Sequence, residues 1–122
     1  MSESVDVLVI DDNDVQLDYM TDLLTQKGFN VKTSNESLSA VDMMLKINPK
    51  VVILDIMMPH LDGYSILKKM RDQKSLAKTP VIIYTGKSFP IDEKKARDLG
   101  ANSYLVKPVK GSVIIEEIRK YI

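Results

Sequence analysis

Val51-Val52-Ile53-Leu54-Asp55 sets four apolar residues in front of a single carboxylate. The run does not alternate with polar residues, so it reads as a short strand buried on both faces, as the strands of a parallel sheet are. Two runs of the same kind lie on either side of it. Val5–Ile10 contains the continuous Val7-Leu8-Val9-Ile10 and leads into Asp11-Asp12; Pro80–Tyr84 contains Val81-Ile82-Ile83-Tyr84 and leads into Thr85-Gly86. Phe29–Thr33 is shorter and alternates with polar residues, which marks an edge strand, and Asn102–Val106 is a fifth run that leads into Lys107-Pro108.

Helical patterns separate these runs. Asp14–Lys27 carries Leu17, Met20, Leu23 and Leu24 at helical spacing, and Gly28 stops it. Ser37–Ile47 carries Leu38, Val41, Met44 and Leu45; Tyr64–Met70 carries Ile66, Leu67 and Met70; Ser112–Ile122 carries Ile114, Ile115, Ile118 and Ile122. Ile91–Leu99 is mostly charged, with Ile91, Ala96 and Leu99 as its apolar residues, so it reads as a lightly anchored helix. Strand followed by helix, repeated along the chain, predicts an α/β domain with right-handed crossovers. Residues 1–122 read as one domain, and the last helix leaves no length for an output domain.

Composition removes several chemistries. The 122 residues include no cysteine and one histidine, which excludes a disulfide framework, a thiolate metal site and a multi-histidine site. Charged residues interrupt every apolar run short of a membrane span. The acidic start Met1-Ser2-Glu3 lacks the basic region of a secretion signal, so the cytoplasm is the expected compartment. The net charge of zero hides a division: residues 1–62 hold 11 acidic and 4 basic side chains, residues 63–122 hold 6 and 13.

In an open parallel sheet, ligands bind beyond the carboxyl ends of the strands. Parallel pairing would bring Asp11, Asp12, Asp55, Thr85 and Lys107 to one rim. Taken singly, each has a plainer reading: Asp11-Asp12 as caps of the first helix, Lys107-Pro108 as a turn. Taken together, three carboxylates repel one another unless a cation joins them, and all-oxygen ligands with room for water favour Mg²⁺. A phosphoryl group arriving there meets a metal, an ammonium and a hydroxyl, and a carboxylate is a competent nucleophile for it.

The chain resembles the receiver domain of two-component response regulators, of the stand-alone chemotaxis-regulator type. The resemblance runs over nearly the whole length. It rests on Val7-Leu8-Val9-Ile10-Asp11-Asp12, on Val52 to Gly63, on Ile83-Tyr84-Thr85-Gly86, and on Gly100-Ala101-Asn102-Ser103-Tyr104-Leu105-Val106-Lys107-Pro108. It implies a flavodoxin-like, doubly wound sheet of order 2-1-3-4-5 with five helices. It implies Asp55 as phosphoacceptor, Mg²⁺ (or Mn²⁺) held by Asp12 directly, Asp11 through water and the Met57 carbonyl, and Lys107 on the phosphoryl oxygens. Thr85 and Tyr104 become the switch residues, the Lys107–Pro108 bond is expected cis, and Pro59 and Gly63 shape the loop after Asp55, where glycine supplies torsions other residues resist. The implied partners are a sensor histidine kinase or a histidine phosphotransfer protein, with signalling through helix 4, strand 5 and helix 5. The chain then acts as a monomer or a phosphorylation-dependent dimer, without nucleic-acid or membrane contact. Its only catalysis is its own phosphorylation and dephosphorylation.

Met57 and Lys87 stand where the family tunes dephosphorylation, and an apolar Met57 predicts a slow rate; Gly86 stands where the family also accepts Ala or Ser. His60 reads as a solvent-facing loop residue, Met43-Met44 and Met57-Met58 as flexible packing. Lys68-Lys69-Met70-Arg71 and Lys94-Lys95-Ala96-Arg97 read as solvated helix faces, since no aromatic platform for nucleic acid accompanies them. Three competing readings are weaker. A haloacid-dehalogenase-type phosphatase needs a second aspartate at position 57, which is Met; a nucleotide module needs a Gly-rich loop where Asp11-Asp12-Asn13-Asp14 stands; a receiver that has lost phosphorylation does not explain the intact acidic and basic set.

Overall fold

The computed structural model describes residues 4–122; Met1-Ser2-Glu3, read above for a leader, lie outside them. Five strands, β1 (Val7–Ile10), β2 (Val31–Ser34), β3 (Val51–Leu54), β4 (Val81–Thr85) and β5 (Ser103–Val106), form one sheet of order β2-β1-β3-β4-β5. Every pairing is parallel. Five helices connect them: α1 (Asp14–Gln26), α2 (Ala40–Ile47), α3 (Gly63–Asp72), α4 (Pro90–Asp98) and α5 (Gly111–Arg119).

The non-alternating runs are explained by a core on each face. Leu8, Ile10, Val52, Leu54, Val81 and Ile83 point to one side, where α2, α3 and α4 supply Met44, Ile66, Leu67, Met70 and Ala96. Val7, Val9, Val51, Ile53, Ile82 and Tyr84 point to the other, against Leu17, Met20 and Leu24 of α1 and Ile114, Ile115 and Ile118 of α5. A fully buried aliphatic side chain contributes roughly 1.5–3 kcal/mol, so these central strands dominate the stability of the fold. That burial fixes the register: Ile10 pairs with Leu54, and Leu54 with Ile83.

Four apolar residues of the helical stripes are exposed, Leu45 of α2 among them. Leu38 is 70% exposed, because Ser37–Ser39 is a 3-10 turn ahead of α2 rather than part of it. The buried place goes to Ser37, whose hydroxyl donates to the Pro59 carbonyl at 2.9 Å. Ile91 is 75% exposed in the first turn of α4, which leaves Ala96 as that helix's only buried residue. Ile122 lies beyond the end of α5 and is exposed. The strand and helix bounds otherwise move by at most three residues, and β3 keeps the bounds read from the sequence.

Candidate functional site

The register places Asp11 and Asp55 next to each other, one residue beyond the paired Ile10 and Leu54. The Asp55 amide donates to the Ile10 carbonyl at 3.1 Å. Both aspartates are buried, while Asp12 is exposed. One carboxylate oxygen from each of the three lies within 4.8 Å of the others. Lys107, at the end of β5, reaches across the rim: its Nζ lies 2.6 Å from Asp11 Oδ2 and 2.9 Å from Asp55 Oδ2. The Lys107 amide donates to the Thr85 carbonyl at 2.7 Å, which ties the two strand ends together, and the Lys107–Pro108 peptide is cis.

The helix-cap alternative for the acidic pair does not hold. Asn13 is the cap of α1, its side chain accepting from the Gln16 amide at 3.0 Å. Asp11 instead accepts from the Asn13 amide at 3.0 Å, which orients its carboxylate inward. Asp55 Oδ1 likewise accepts from the Met57 amide at 2.9 Å, leaving Oδ2 for Lys107. Burial raises the Asp11 pKa, with the Asp55 charge adding to it, against the opposing pull of Lys107 and the Asn13 amide. Burial works against the Lys107 ammonium, but its two carboxylate partners prevail and raise its pKa.

Around this cluster, Thr85 is fully buried at the end of β4, and its Oγ1 lies 3.5 Å from the Lys87 amide. Met57 is half exposed beside Gly86, its sulfur 4.0 Å from where a Gly86 Cβ would stand. A cleft of about 390 Å³, lined by Asp12, Ser37, Met58, Pro59 and His60, opens beside the exposed carboxylate. His60 is exposed, as expected, and its backbone adopts a left-handed conformation, φ 69°.

Gly63 is needed for a different reason from the one inferred. Its φ is not positive; instead an added Cβ would stand 2.5 Å from the Asp55 carbonyl oxygen and 2.6 Å from Ile56 Cα. The start of α3 is packed directly on the segment that carries Asp55. Asp62 caps that helix by accepting from the Ser65 amide at 2.9 Å.

The family model of the response regulator receiver domain matches residues 7–119. This chain belongs to the response regulator receiver family. Among curated relatives of this receiver, the probable transcriptional regulator ycf29 of Pyropia yezoensis is 35% identical over 116 residues, which cover 94% of this chain and 52% of that protein. The receiver thus spans about half the length of that relative. The polar-differentiation response regulator DivK of Brucella ovis is 28% identical over 116 residues, covering 95% of the receiver and 94% of DivK. Among solved structures, the chemotaxis protein CheY4 of Vibrio cholerae superposes with a TM-score of 0.91 at 24% identity, covering 98% of the receiver and 100% of CheY4. The receiver domain of a sensor histidine kinase from Pseudomonas aeruginosa PAO1, a structure with a magnesium ion coordinated in its active-site cleft, superposes at 0.88 and 24% identity, covering 98% of each chain. These two likenesses establish the flavodoxin-like fold.

The receiver also carries contacts that no local pattern announced. Tyr104 is half-buried against the core, and its hydroxyl donates to the Lys87 carbonyl at 2.9 Å. Burial raises its pKa to about 12, with the charges of Asp92, Glu93 and Asp55 adding. Tyr64, the second residue of α3, donates to Asp92 Oδ1 of α4 at 2.9 Å. These two residues stand 28 apart in sequence, so periodicity within either helix gives no sign of their pairing. Arg71 does not face solvent: its guanidinium donates to the carbonyls of Leu76, Thr79 and Gly100 and to Asn102 Oδ1, at 2.7–3.3 Å. Among the described residues, no helix is long and apolar enough to cross a membrane.

Proposed function

We propose that this receiver is a phosphorylation-driven switch whose phosphoacceptor is Asp55. The observation that carries the reading is Lys107 Nζ bridging Asp11 and Asp55, with Thr85 on the adjacent strand end and Asp12 left open beside them. The donor set fits a hard divalent ion: three carboxylates converge within 4.8 Å, one ammonium offsets only part of their charge, and the exposed Asp12 leaves room for retained water. Asp12, Asp55 and the Met57 carbonyl would hold Mg²⁺, or Mn²⁺ in its place, with Asp11 acting through water. When bound, the ion supplies charge neutralisation and orientation for phosphoryl oxygens.

A carboxylate oxygen of Asp55 attacks the phosphorus of a phosphohistidine on a sensor kinase or phosphotransfer protein. The new P–O bond forms as the P–N bond breaks, and its electron pair returns to the imidazole nitrogen, which takes up a proton. Lys107 stays with the transferred group, because its Nζ already lies within hydrogen-bond reach of the attacking carboxylate. Thr85 donates its hydroxyl to the phosphoryl oxygens, and Tyr104 fills the space beneath it. The resulting shift in a two-state equilibrium reads out through α4, β5 and α5 to a partner protein. Water attack on phosphorus restores the Asp55 carboxylate and releases inorganic phosphate. In this reading the receiver turns over only its own phosphoryl group, acts in the cytoplasm as a monomer or phosphorylation-dependent dimer, and contacts neither nucleic acid nor membrane.

The test is phosphotransfer profiling against sensor kinases of the source organism, alongside a small phosphodonor with Mg²⁺. Wild type is expected to take label and Asp55→Asn none. Label retained on Asp55→Asn, or absent from wild type under every donor, overturns the assignment.

A further inference from the structure

Helix α4, on the proposed output face, is lightly attached. It buries only Ala96, and no side chain caps its N-terminus. Its Lys94–Asp98 and Glu93–Arg97 pairs link charges within the helix, and at its far end Arg97 donates to the Asn102 carbonyl at 3.4 Å. What grips its first half is one side chain from α3. Tyr64 donates its hydroxyl to Asp92 Oδ1 at 2.9 Å, and Lys95 Nζ lies 4.3 Å over the Tyr64 ring. Asp92 and Lys95 stand one turn apart, so α4 holds both ends of the same residue.

Tyr64 is itself fixed, because it is buried and follows Gly63, whose backbone is packed on the Asp55 carbonyl. From Asp92 the connection runs on: Lys87 Nζ lies 4.0 Å from Asp92 Oδ1, and the Lys87 carbonyl accepts from Tyr104. Turning Tyr104 outward would strip that carbonyl of its partner and uncover a half-buried ring.

We propose that Tyr64 and Asp92 form a brace between α3 and α4 which, through Lys87, holds Tyr104 turned in. Both are positioning residues, since neither touches Asp55. The inference rests on the reading of Tyr104 as the switch aromatic. Tyr64→Phe is the cleanest perturbation: it keeps the ring and the Lys95 contact and deletes one hydroxyl.

The experiment uses the full chain with ¹³C-labelled tyrosine, Tyr104→Phe serving to assign the Tyr104 ring signal. In metal-free Tyr64→Phe, the Tyr104 ring resonance is expected to move toward that of a solvent-exposed tyrosine. The concentration of beryllofluoride needed to saturate the protein with Mg²⁺ present is expected to rise about fivefold, the effect of one lost hydrogen bond on a two-state balance. Asp92→Ala is expected to move both readouts in the same direction. An unmoved Tyr104 resonance in Tyr64→Phe overturns the brace, as do opposite shifts in the two variants. A wild type that ignores beryllofluoride overturns the phosphoacceptor reading instead, and the metal-free Tyr104 signal still decides the brace.

Discussion

Replacing Lys107 by Met keeps the apolar stem and removes the ammonium, and so isolates the charge that joins the strand ends. Asp11 and Asp55 are 4% and 7% exposed at their side chains, Lys107 23%. With carboxylate oxygens up to 4.8 Å apart, two unit charges repel by about 3.5 kcal/mol at an effective dielectric of about 20. Lys107 offsets this from 2.6 and 2.9 Å. Removing one member of a buried ion pair costs about 3–5 kcal/mol, and the partial exposure of Lys107 points to the lower end, so Lys107→Met is expected to lose about 3 kcal/mol. Urea unfolding followed by circular dichroism at pH 7 in metal-free buffer measures this. Adding Mg²⁺ is expected to stabilise the variant more than the wild type, because a cation then occupies the place of the lost one. Acidification is expected to narrow the gap as well. Asp11 already has a raised pKa in the folded chain, so its ionisation opposes folding above that value, and the penalty disappears as pH falls below its unfolded value. A variant within about 0.5 kcal/mol of wild type, well below the expected loss for a broken buried pair, would refute the claim that Lys107 holds the rim together.

Three other substitutions test separate parts of the argument. Gly63→Ala forces a Cβ to within 2.5 Å of the Asp55 carbonyl, a backbone atom that has little room to yield, so it should destabilise by about 1–3 kcal/mol and slow phosphorylation by a small donor; unchanged labelling would count against the close packing of α3 on the Asp55 segment. Arg71→Met strands the carbonyls of Leu76, Thr79 and Gly100, and a loss of about 3 kcal/mol with faster hydrogen exchange around residues 100–102 is expected. Met57→Asn puts a polar group in a half-exposed position next to the proposed phosphoacceptor, so the phosphorylated form should lose phosphate faster than wild type, and equal rates measured by label loss would sink the tuning role of Met57.

The fold was legible because its information is local. Val7–Ile10, Val51–Leu54 and Val81–Thr85 are runs that only a doubly covered sheet can bury, and Asp11, Asp55 and Thr85 stand at their carboxyl ends. Asp11, Asp12, Asp55, Thr85 and Lys107 were therefore found from strand ends alone, and the structure brings them to one rim. What periodicity missed are contacts made across elements. Leu38 looked like core because a 3-10 turn and a helix share a sequence pattern until the pitch is known. Arg71 looked like part of a solvated cluster because its carbonyl partners arrive from the turn before β4 and the turn before β5. Tyr64 and Asp92 carry no signal at all within their own helices.

The charge division along the chain now has a structural meaning. Part of the acidic excess belongs to the site itself: Asp11 sits where burial opposes its ionisation, Asp55 is buried beside it, and strands with both faces covered hold them there. Part of the basic excess is engaged within the molecule. Lys107 answers the carboxylates, Arg71 ties the turn before β4 to the turn before β5, Lys95 covers Tyr64, and Lys94 and Arg97 pair along α4. The core strands therefore fix where the carboxylates stand, while polar contacts of a few residues fix α4 and Tyr104. A rigid rim joined to a lightly held helix is the arrangement in which a small charge change at Asp55 can move a surface, because the energy needed to shift α4 is of the order of a few hydrogen bonds rather than of a buried core.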